Sequence, residues 1–345
     1  MSTPITVLTG FLGAGKTTLL NHALRLPVFA NTLVIVNEVG EILLDHLLVK
    51  EVREDVIVLP SGCVCCSLRG DLVDVLLAQR PAPGQPAWAR VLVETTGLAD
   101  PTPILATLVQ HPVLSELFHL DKLVAVVDAQ LALETLPVHD EAQKQVALAD
   151  ELVVTKADLV DSGRMASVLA ALRGLNGQAA LHQAAHGLLD WSRVLEGATG
   201  ARWEGPILPP TSDSHVGPAV HAFAVSVPAV VEYGPFAFWL SMMTQLNGAG
   251  LLRLKGLLRV KHEVGPLVVQ SVQHVVYPTF ILPRWPSADE RSRVVVITRG
   301  LDPDMVISIE SSLRAVMGAP NLAESHHHAH HHGHELRSPR KEALP

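Results

Sequence analysis

Cysteine is scarce in this chain of 345 residues, which contains three in total. All three fall within four positions, at Cys63, Cys65 and Cys66. Three thiols so close together argue against a disulfide framework, because they cannot all pair with each other and one is left over. Metal binding, a reactive thiol and simple burial remain, and the C-x-C-C spacing favours metal binding.

Other features are also missing. The formal net charge is -8, so the chain lacks the positive excess of a general nucleic-acid binder. No uncharged apolar run reaches the roughly 18–20 residues of a membrane span. The N-terminus has no basic segment followed by an apolar core, as a signal peptide would. We therefore expect a cytoplasmic protein with no nucleic-acid or membrane partner, and the 48% of apolar residues provides ample material for a core.

The clearest motif that is present is G-F-L-G-A-G-K-T at residues 10–17, after an apolar strand predicted at 5–9 and before a predicted helix. A strand before and a helix after are the context in which this P-loop pattern binds phosphates. Lys16 is expected to neutralise the β- and γ-phosphates, and the Thr17 hydroxyl to ligate Mg²⁺. The other residues assigned to the nucleotide are Gly10, Gly13, Ala14, Gly15 and Thr18.

Two later strand ends complete the predicted nucleotide site. A strand from residue 90 ends in Glu94, followed by Gly97; the acid would hold Mg²⁺ or its water, and the Gly97 amide would sense the γ-phosphate. Lys16, Thr17, Glu94 and Gly97 form the predicted catalytic set. A strand from residue 151 leads into Thr155-Lys156-Ala157-Asp158, which resembles the guanine-binding N-K-x-D motif of GTPases with threonine in the first position. Asp158 would accept hydrogen bonds from guanine, and the stem of Lys156 would lie along the base.

The order of elements predicts the fold. Further strands are expected at 32–36, 55–60 and 122–129, so strands alternate with helices over residues 1–200. This predicts an α/β P-loop NTPase-type domain, with a mostly parallel sheet and helices on both faces. A linker rich in Pro and Gly is expected at 201–218, a smaller α+β domain at 219–316, and a disordered His-rich tail at 317–345. The R-L-K-G stretch at 253–256 is left as either a ligand-facing segment or an ordinary edge strand.

The predicted metal ligands lie in two places. The cysteines directly follow the strand at 55–60 and precede a predicted helix, a position that lowers thiol pKa values and favours thiolate. Seven histidines occupy the tail, where imidazoles at this density bind divalent metals without a fixed geometry. These histidines are His326, His327, His328, His330, His331, His332 and His334.

Five segments in chain order resemble the motifs of the CobW-type metallochaperone GTPases. They are GFLGAGKTTLLNH, NEVGE, GCVCCSLRGDL, VETTGLADPTP and TKADL, and the stretches LLRLKGLL and WPSADERSRVVVITRGLD look like that family's C-terminal domain. The resemblance spans roughly residues 5–316. Each motif alone is weak, but the ordered set is specific.

The resemblance implies hydrolysis of GTP with Mg²⁺, coupled to delivery of a metal to a client protein. The metal is usually zinc, with Co²⁺ or another divalent ion as the alternative, and some members serve cobalamin synthesis or nitrile hydratase activation. Several relatives carry a glutamate where this chain has Val36, so the ligands assigned here are the three cysteines, with Glu41 as an oxygen ligand. His46, water or a client residue are the other candidates for the fourth place in a tetrahedral site.

Two other functions are weighed against this one. The first is a P-loop enzyme of the small-molecule kinase type with a structural zinc, which need not recognise guanine. The second is a passive metal buffer that uses the histidine tail. The physiological metal, the client and the oligomeric state, with a homo-oligomer as one alternative, are left open.

Overall fold

The first sheet is parallel throughout, as the alternation of strands and helices predicts. A computed structural model describes residues 2–37, 56–59, 67–80, 87–195 and 220–319. Within these residues the first sheet has seven strands in the order β3-β2-β4-β1-β5-β6-β7. The strands are β1 (Thr3–Gly10), β2 (Thr32–Asn37), β3 (Val56–Leu59), β4 (Arg90–Glu94), β5 (Phe118–Asp128), β6 (Glu151–Thr155) and β7 (Ala180–Gln183).

Helices cover both faces of this sheet. On one face, β1 and β4 pack against Leu72 and Leu76 of α2 and Leu105 of α3. On the other face, Leu19 and Leu20 of α1 lie in a core with the buried Trp191 of α8. The helices are α1 (Lys16–Ala23), α2 (Ser67–Ala78), α3 (Thr102–Gln110), α4 (Pro112–Leu117), α5 (Ala132–Thr135), α6 (Asp140–Leu148), α7 (Ser162–Leu175) and α8 (Trp191–Leu195).

A second, antiparallel sheet follows. Its described strands have the order β11-β10-β9-β13-β8, and β12 pairs with β10. Two helices pack together beside it, where Trp239 Nε1 donates to the Ser312 hydroxyl at 2.9 Å. The elements are β8 (Val220–Val227), α9 (Tyr233–Asn247), β9 (Leu251–Leu258), β10 (Leu267–Val272), β11 (Val275–Val276), β12 (Phe280–Ile281), β13 (Ser292–Arg299) and α10 (Pro303–Met317).

The fold class is confirmed, with local differences. Strand β7 was not predicted, because its four half-buried residues carry no clear periodicity. Residues 267–276 form a hairpin, β10 and β11, that turns at Gln273 with φ of 49°. The linker at 201–218 and most of the tail at 317–345 lie outside the described residues, so the domain boundaries stay a prediction.

No helix in the described part of the chain has the length and apolar composition to span a bilayer.

The two sheets meet at a buried ion cluster. Asp150, between α6 and β6, pairs with Arg253 and with Lys255, whose Nζ lies 3.3 Å from the carboxylate. Both basic residues belong to R-L-K-G on β9, which is the central strand of its sheet, so the edge-strand interpretation is wrong. Their charged groups face Asp150. Burial raises the pKa of Asp150, but Arg253, Lys255 and the N–H of Leu123 outweigh it and hold the pKa below its ordinary value.

This cluster predicts a strong dependence of stability on one charge. Asp150→Asn leaves two buried cations without their anion, so we expect a loss of about 3–5 kcal/mol in the free energy of unfolding. Because the folded pKa of Asp150 is lowered, its contribution is present above the ordinary aspartate pKa and is lost as the pH falls below it. Urea denaturation at neutral pH measures the difference.

The matched control is Glu232→Gln, which removes the anion of the exposed pair between Glu232 and Lys261. It should change stability by no more than about 0.5 kcal/mol. Equal effects of the two substitutions would contradict the role given to the buried cluster.

Candidate functional site

The P-loop follows β1 at the carboxyl edge of the parallel sheet, between the ends of β4 and β5. Its backbone needs glycine at several points. A Cβ on Gly10 would lie 2.4 Å from the Val126 carbonyl oxygen of β5. Gly13 and Gly15 have φ values of 71° and 90°, in the left-handed region that favours glycine. The conformation of the P-loop therefore depends on glycine at these positions.

Lys16 opens α1 and is buried at the centre of the loop. Its Nζ donates to the carbonyl oxygens of Gly10 at 2.8 Å and Phe11 at 3.3 Å. The ammonium group therefore lies over the concave side of the loop, where the helix N-terminus and the loop N–H groups favour an anion. This is the position that phosphate binding by Lys16 requires.

Thr17 and Glu94 are brought together as the sequence predicts. The Thr17 hydroxyl donates to Glu94 Oε1 at 3.0 Å, and Glu94 is 3% exposed at the end of β4. A hydroxyl and a carboxylate oxygen beside a phosphate-binding loop are the hard donors that Mg²⁺ prefers. These two residues therefore fit a magnesium ion.

The segment Thr95–Ala99 continues from β4 and lies against the P-loop. Thr95 N–H donates to the Leu8 carbonyl at 2.9 Å, and its hydroxyl donates to that of Thr9 at 2.9 Å. A Cβ on Gly97 would lie 2.7 Å from the backbone nitrogen of Leu12. Gly97 thus packs on the P-loop backbone itself, next to the residues expected to contact phosphate.

The end of β6 brings the T-K-A-D motif to the same edge. The Thr155 hydroxyl donates to the Ala14 carbonyl at 2.7 Å and to that of Val127 at 3.1 Å. Lys156 has a left-handed φ of 55°, and its Nζ donates to Asp128 at 2.6 Å. Threonine at the first position therefore ties the motif directly to the P-loop.

Three residues of the site were not found in the sequence. Asp128 at the end of β5 holds Lys156, and Gln145 of α6 donates to the carbonyls of the segment after β4. His186, in the loop after β7, lies 3.4 Å from the Asp158 carboxylate. The D-A dipeptide that ends the strand at 122–129 was a usable signal for Asp128. No pattern marks Gln145 or His186.

The predicted metal ligands cannot be placed. Cys63, Cys65, Cys66, Glu41, His46 and all seven tail histidines lie outside the described residues. In the residues that the structure does describe, no cluster of three or more metal-ligating side chains occurs. The flanking elements are described: the cysteine segment joins β3, which ends at Leu59, to α2, which starts at Ser67.

The parallel sheet and this edge define a P-loop nucleotide-binding protein. Residues 4–183 match the nucleotide-binding domain of the CobW/HypB/UreG family. Residues 220–316 match the C-terminal domain of the cobalamin synthesis protein CobW. The chain belongs to the CobW family, as its ordered motifs indicate.

Named relatives agree with this placement. The zinc chaperone YjiA of Escherichia coli is 31% identical over 90% of this chain and 98% of its own length. The zinc-regulated GTPase metalloprotein activator 1 of Schizosaccharomyces pombe is 31% identical over 54% of this chain and 47% of its own length. The chain thus spans about half the length of that second relative.

Solved structures show the same fold. The zinc-bound YjiA GTPase of E. coli superposes with a TM-score of 0.64 at 25% identity, covering 91% of this chain and 99% of the other. A zinc-bound triple mutant of YjiA, with one glutamate and two cysteines changed to alanine, gives a TM-score of 0.65 at 26% identity, over 92% of this chain and 99% of the other. Zinc is therefore bound to that protein without those three side chains.

The close approach of Gly97 to the P-loop leads to a prediction. In Gly97→Ala the new methyl meets the backbone of Leu12 and fits only if that backbone moves, which costs about 1–3 kcal/mol. We expect the P-loop to shift and the affinity for GDP to fall by about tenfold or more. Titration with a fluorescent GDP analogue measures this change.

Gly70→Ala is the matched control, since Gly70 lies within α2 and a Cβ there meets nothing within 4 Å. It should leave GDP affinity unchanged and raise stability by about 0.5–1 kcal/mol. Wild-type GDP affinity in Gly97→Ala would show that the P-loop tolerates the added methyl.

Proposed function

We propose that this protein is a GTP-hydrolysing zinc metallochaperone that passes its metal to a client protein. The observation that carries the proposal is the meeting of three chain segments at one sheet edge: the P-loop, the end of β4 with Glu94 and Gly97, and the T-K-A-D motif. The names of the relatives support zinc as the cargo and GTP as the nucleotide.

The P-loop residues have separate roles in this proposal. The backbone N–H groups of Gly13, Ala14 and Gly15 and the start of α1 surround the phosphate oxygens. Lys16 exchanges its contacts with two loop carbonyls for the β- and γ-phosphates. Thr18, next on α1, adds its N–H and hydroxyl to this set.

Thr17 and Glu94 would hold Mg²⁺, which neutralises phosphate charge when it is bound. Gly97 would place its amide N–H toward the γ-phosphate, because its Cα already packs against the P-loop backbone. Of the nucleotide's parts, the γ-phosphate alone distinguishes GTP from GDP. The segment Thr95–Ala99 is thus the part of the site that can respond to hydrolysis.

Guanine recognition is assigned to the T-K-A-D motif. Asp158 lies in a 3₁₀ turn, Ala157–Leu159, beside the loop that carries His186. Its carboxylate would accept from guanine N1 and N2, which adenine cannot supply. Lys156, held by Asp128, would lie along the base plane.

The metal would be held by Cys63, Cys65 and Cys66, with Glu41 as an oxygen ligand. The segment with these cysteines starts from the carboxyl end of β3, and all carboxyl ends in a parallel sheet lie on one edge. The cargo site would thus lie on the edge that binds nucleotide. A site short of a fourth thiolate releases metal more readily than a closed Cys₄ site, which suits a carrier.

The proposal also covers the identity of the cargo and its destination. Co²⁺ remains an alternative cargo, and cobalamin synthesis and nitrile hydratase activation remain alternative destinations. A cytoplasmic location and the oligomeric state stay predictions from sequence. The kinase-like alternative is separated by nucleotide competition, because preference for ATP over GTP would favour it.

The guanine assignment predicts a switch in nucleotide preference. Asp158→Asn replaces an acceptor with a donor, so it should weaken GTP binding by about 100-fold or more and improve the binding of xanthosine triphosphate. Sites that hydrogen-bond a substrate N–H discriminate by up to about 10⁴-fold. Competition against a fluorescent nucleotide measures both affinities.

Asp161→Asn is the control for Asp158→Asn. Asp161 caps α7 by accepting the Arg164 N–H at 2.7 Å, and asparagine caps about equally well. Its nucleotide affinities should stay at wild-type values. Unchanged GTP preference in Asp158→Asn would rule out guanine recognition by this motif.

The metal assignment predicts two classes of site. Replacing Cys63, Cys65 and Cys66 with serine should abolish the tightest Zn²⁺ site, whose affinity in the wild type should fall with pH because metal displaces thiol protons. The loose binding that the tail histidines provide should remain and be lost below about pH 6, where imidazoles protonate. Zn²⁺ titration against a chelating indicator separates the classes.

Deletion of residues 324–345 is the complementary variant. It should remove the loose ions and leave the tight site and GTP hydrolysis intact, since a chain without fixed geometry loses affinity to the entropy of ordering. Loss of the tightest site on this deletion would make the tail the primary ligand. Survival of tight binding in the serine variant would exclude the cysteine cluster.

A further inference from the structure

A buried glutamine of α6 holds the segment that follows β4. Gln145 is 1% exposed, and its Nε2 donates to the Gly97 carbonyl at 3.2 Å and the Ala99 carbonyl at 3.0 Å. One amide group thus engages two of the five residues in Thr95–Ala99. Neither bond belongs to a helix or a sheet ladder, so these two bonds join α6 to the segment independently of the regular secondary structure.

Gly97 is held from two sides by these contacts. Its carbonyl is bound by Gln145, and a Cβ on it would lie 2.7 Å from the backbone nitrogen of Leu12. Movement of the segment away from Gln145 would break the hydrogen bonds to the Gly97 and Ala99 carbonyls. Gln145 thereby holds the Gly97 carbonyl in place and restrains the Gly97 N–H on the adjoining peptide unit.

The rest of α6 makes this support rigid. Ahead of the helix, the His139 ring stacks on Phe11 of the P-loop with 4.4 Å between centroids. At its end, the buried Asn176 donates to the Val146, Ala147 and Ala149 carbonyls. The helix is therefore fixed at both ends relative to the P-loop and α7.

The oxygen of the same side-chain amide makes no comparable contact. Gln145 Oε1 is buried without a hydrogen-bond partner in the described residues, a cost of about 1–3 kcal/mol. Its side chain lines a cavity of about 30 Å³ beside Leu12, Ala14 and Asp128. An apolar residue of this size would avoid the cost, so the two donated bonds explain a glutamine here.

A second, weaker tether from α6 acts on Asp100, the residue directly after this segment. Lys144 Nζ lies 2.9 Å from the Asp100 carboxylate, with both side chains more than a quarter exposed. Exposed ion pairs contribute about 0–1 kcal/mol. Gln145 is thus the stronger of the two connections from α6.

We propose that Gln145 is a positioning residue for GTP hydrolysis, which orients Gly97 toward the γ-phosphate without itself touching the nucleotide. The inference rests on the proposed function. It requires that the loss of Gln145 affect the chemical step and spare the binding of GDP, which has no γ-phosphate for the segment to contact. A role limited to folding would not produce this separation.

The test uses Gln145→Met in the full chain, which keeps side-chain length and removes the donor. We expect kcat to fall by about 10- to 100-fold, the usual size for a misplaced reacting group. KM for GTP and Kd for GDP should stay at wild-type values. Steady-state phosphate release and GDP titration give the three constants, and thermal unfolding reports on the fold.

Gln143→Met is the matched control on the same helix. Gln143 is fully buried and its Nε2 donates to the Leu136 carbonyl at 2.7 Å, away from the segment. It should lower Tm and leave kcat unchanged. If both variants lose kcat in proportion to Tm, or if Gln145→Met keeps wild-type kcat, the inference is wrong.

Gln145→Asn covers the case in which the methionine variant does not fold. Asparagine keeps the amide group on a side chain that is one methylene too short to reach both carbonyls. We therefore expect kcat to fall and the affinity for GDP to stay at the wild-type value. A wild-type kcat in this variant would overturn the inference. Absence of GTP hydrolysis in the wild-type protein would instead overturn the proposed function. The two failures are thus distinguishable.

Discussion

The close packing of the P-loop backbone is the constraint on which the site depends. A Cβ on Gly10 would lie 2.4 Å from the Val126 carbonyl oxygen of β5, and a Cβ on Gly97 would lie 2.7 Å from the backbone nitrogen of Leu12. On a third side the Thr155 hydroxyl donates to the Ala14 carbonyl. Neighbouring strands therefore determine the path of the loop and the arrangement of its backbone N–H groups.

Strand order explains how distant residues reach this loop. Because β1 lies between β4 and β5, and β6 follows β5, the carboxyl ends of all four strands meet at one edge. Glu94, Asp128 and Thr155 are the last residues of β4, β5 and β6. A different order of the same strands would keep every motif and lose the site.

The motifs that depend on backbone conformation were predictable, and the contacts that depend on tertiary packing were not. Glycines before Lys16 and an acid at a strand end follow from the demands of phosphate and Mg²⁺, so their spacing is visible in the sequence. Gln145 lies in an ordinary amphipathic helix, and its partners are main-chain carbonyls, which carry no sequence signal. The Asp150 cluster was missed for a different reason, because its partners Arg253 and Lys255 are about 100 positions away in the chain.

Helix α6 connects these two unpredicted contacts. Gln145 binds the segment after β4, and Asp150, two residues beyond the helix, binds β9 of the second sheet. Asp140 at the start of the helix pairs with Arg299 of β13, so α6 is joined to the second sheet at both ends. Leu148 and Leu252 lie in one hydrophobic core. A displacement of Gly97 would therefore pull on α6 through Gln145. Because α6 and the residues after it also pair with β9 and β13, the same helix connects the nucleotide-binding edge to the second sheet.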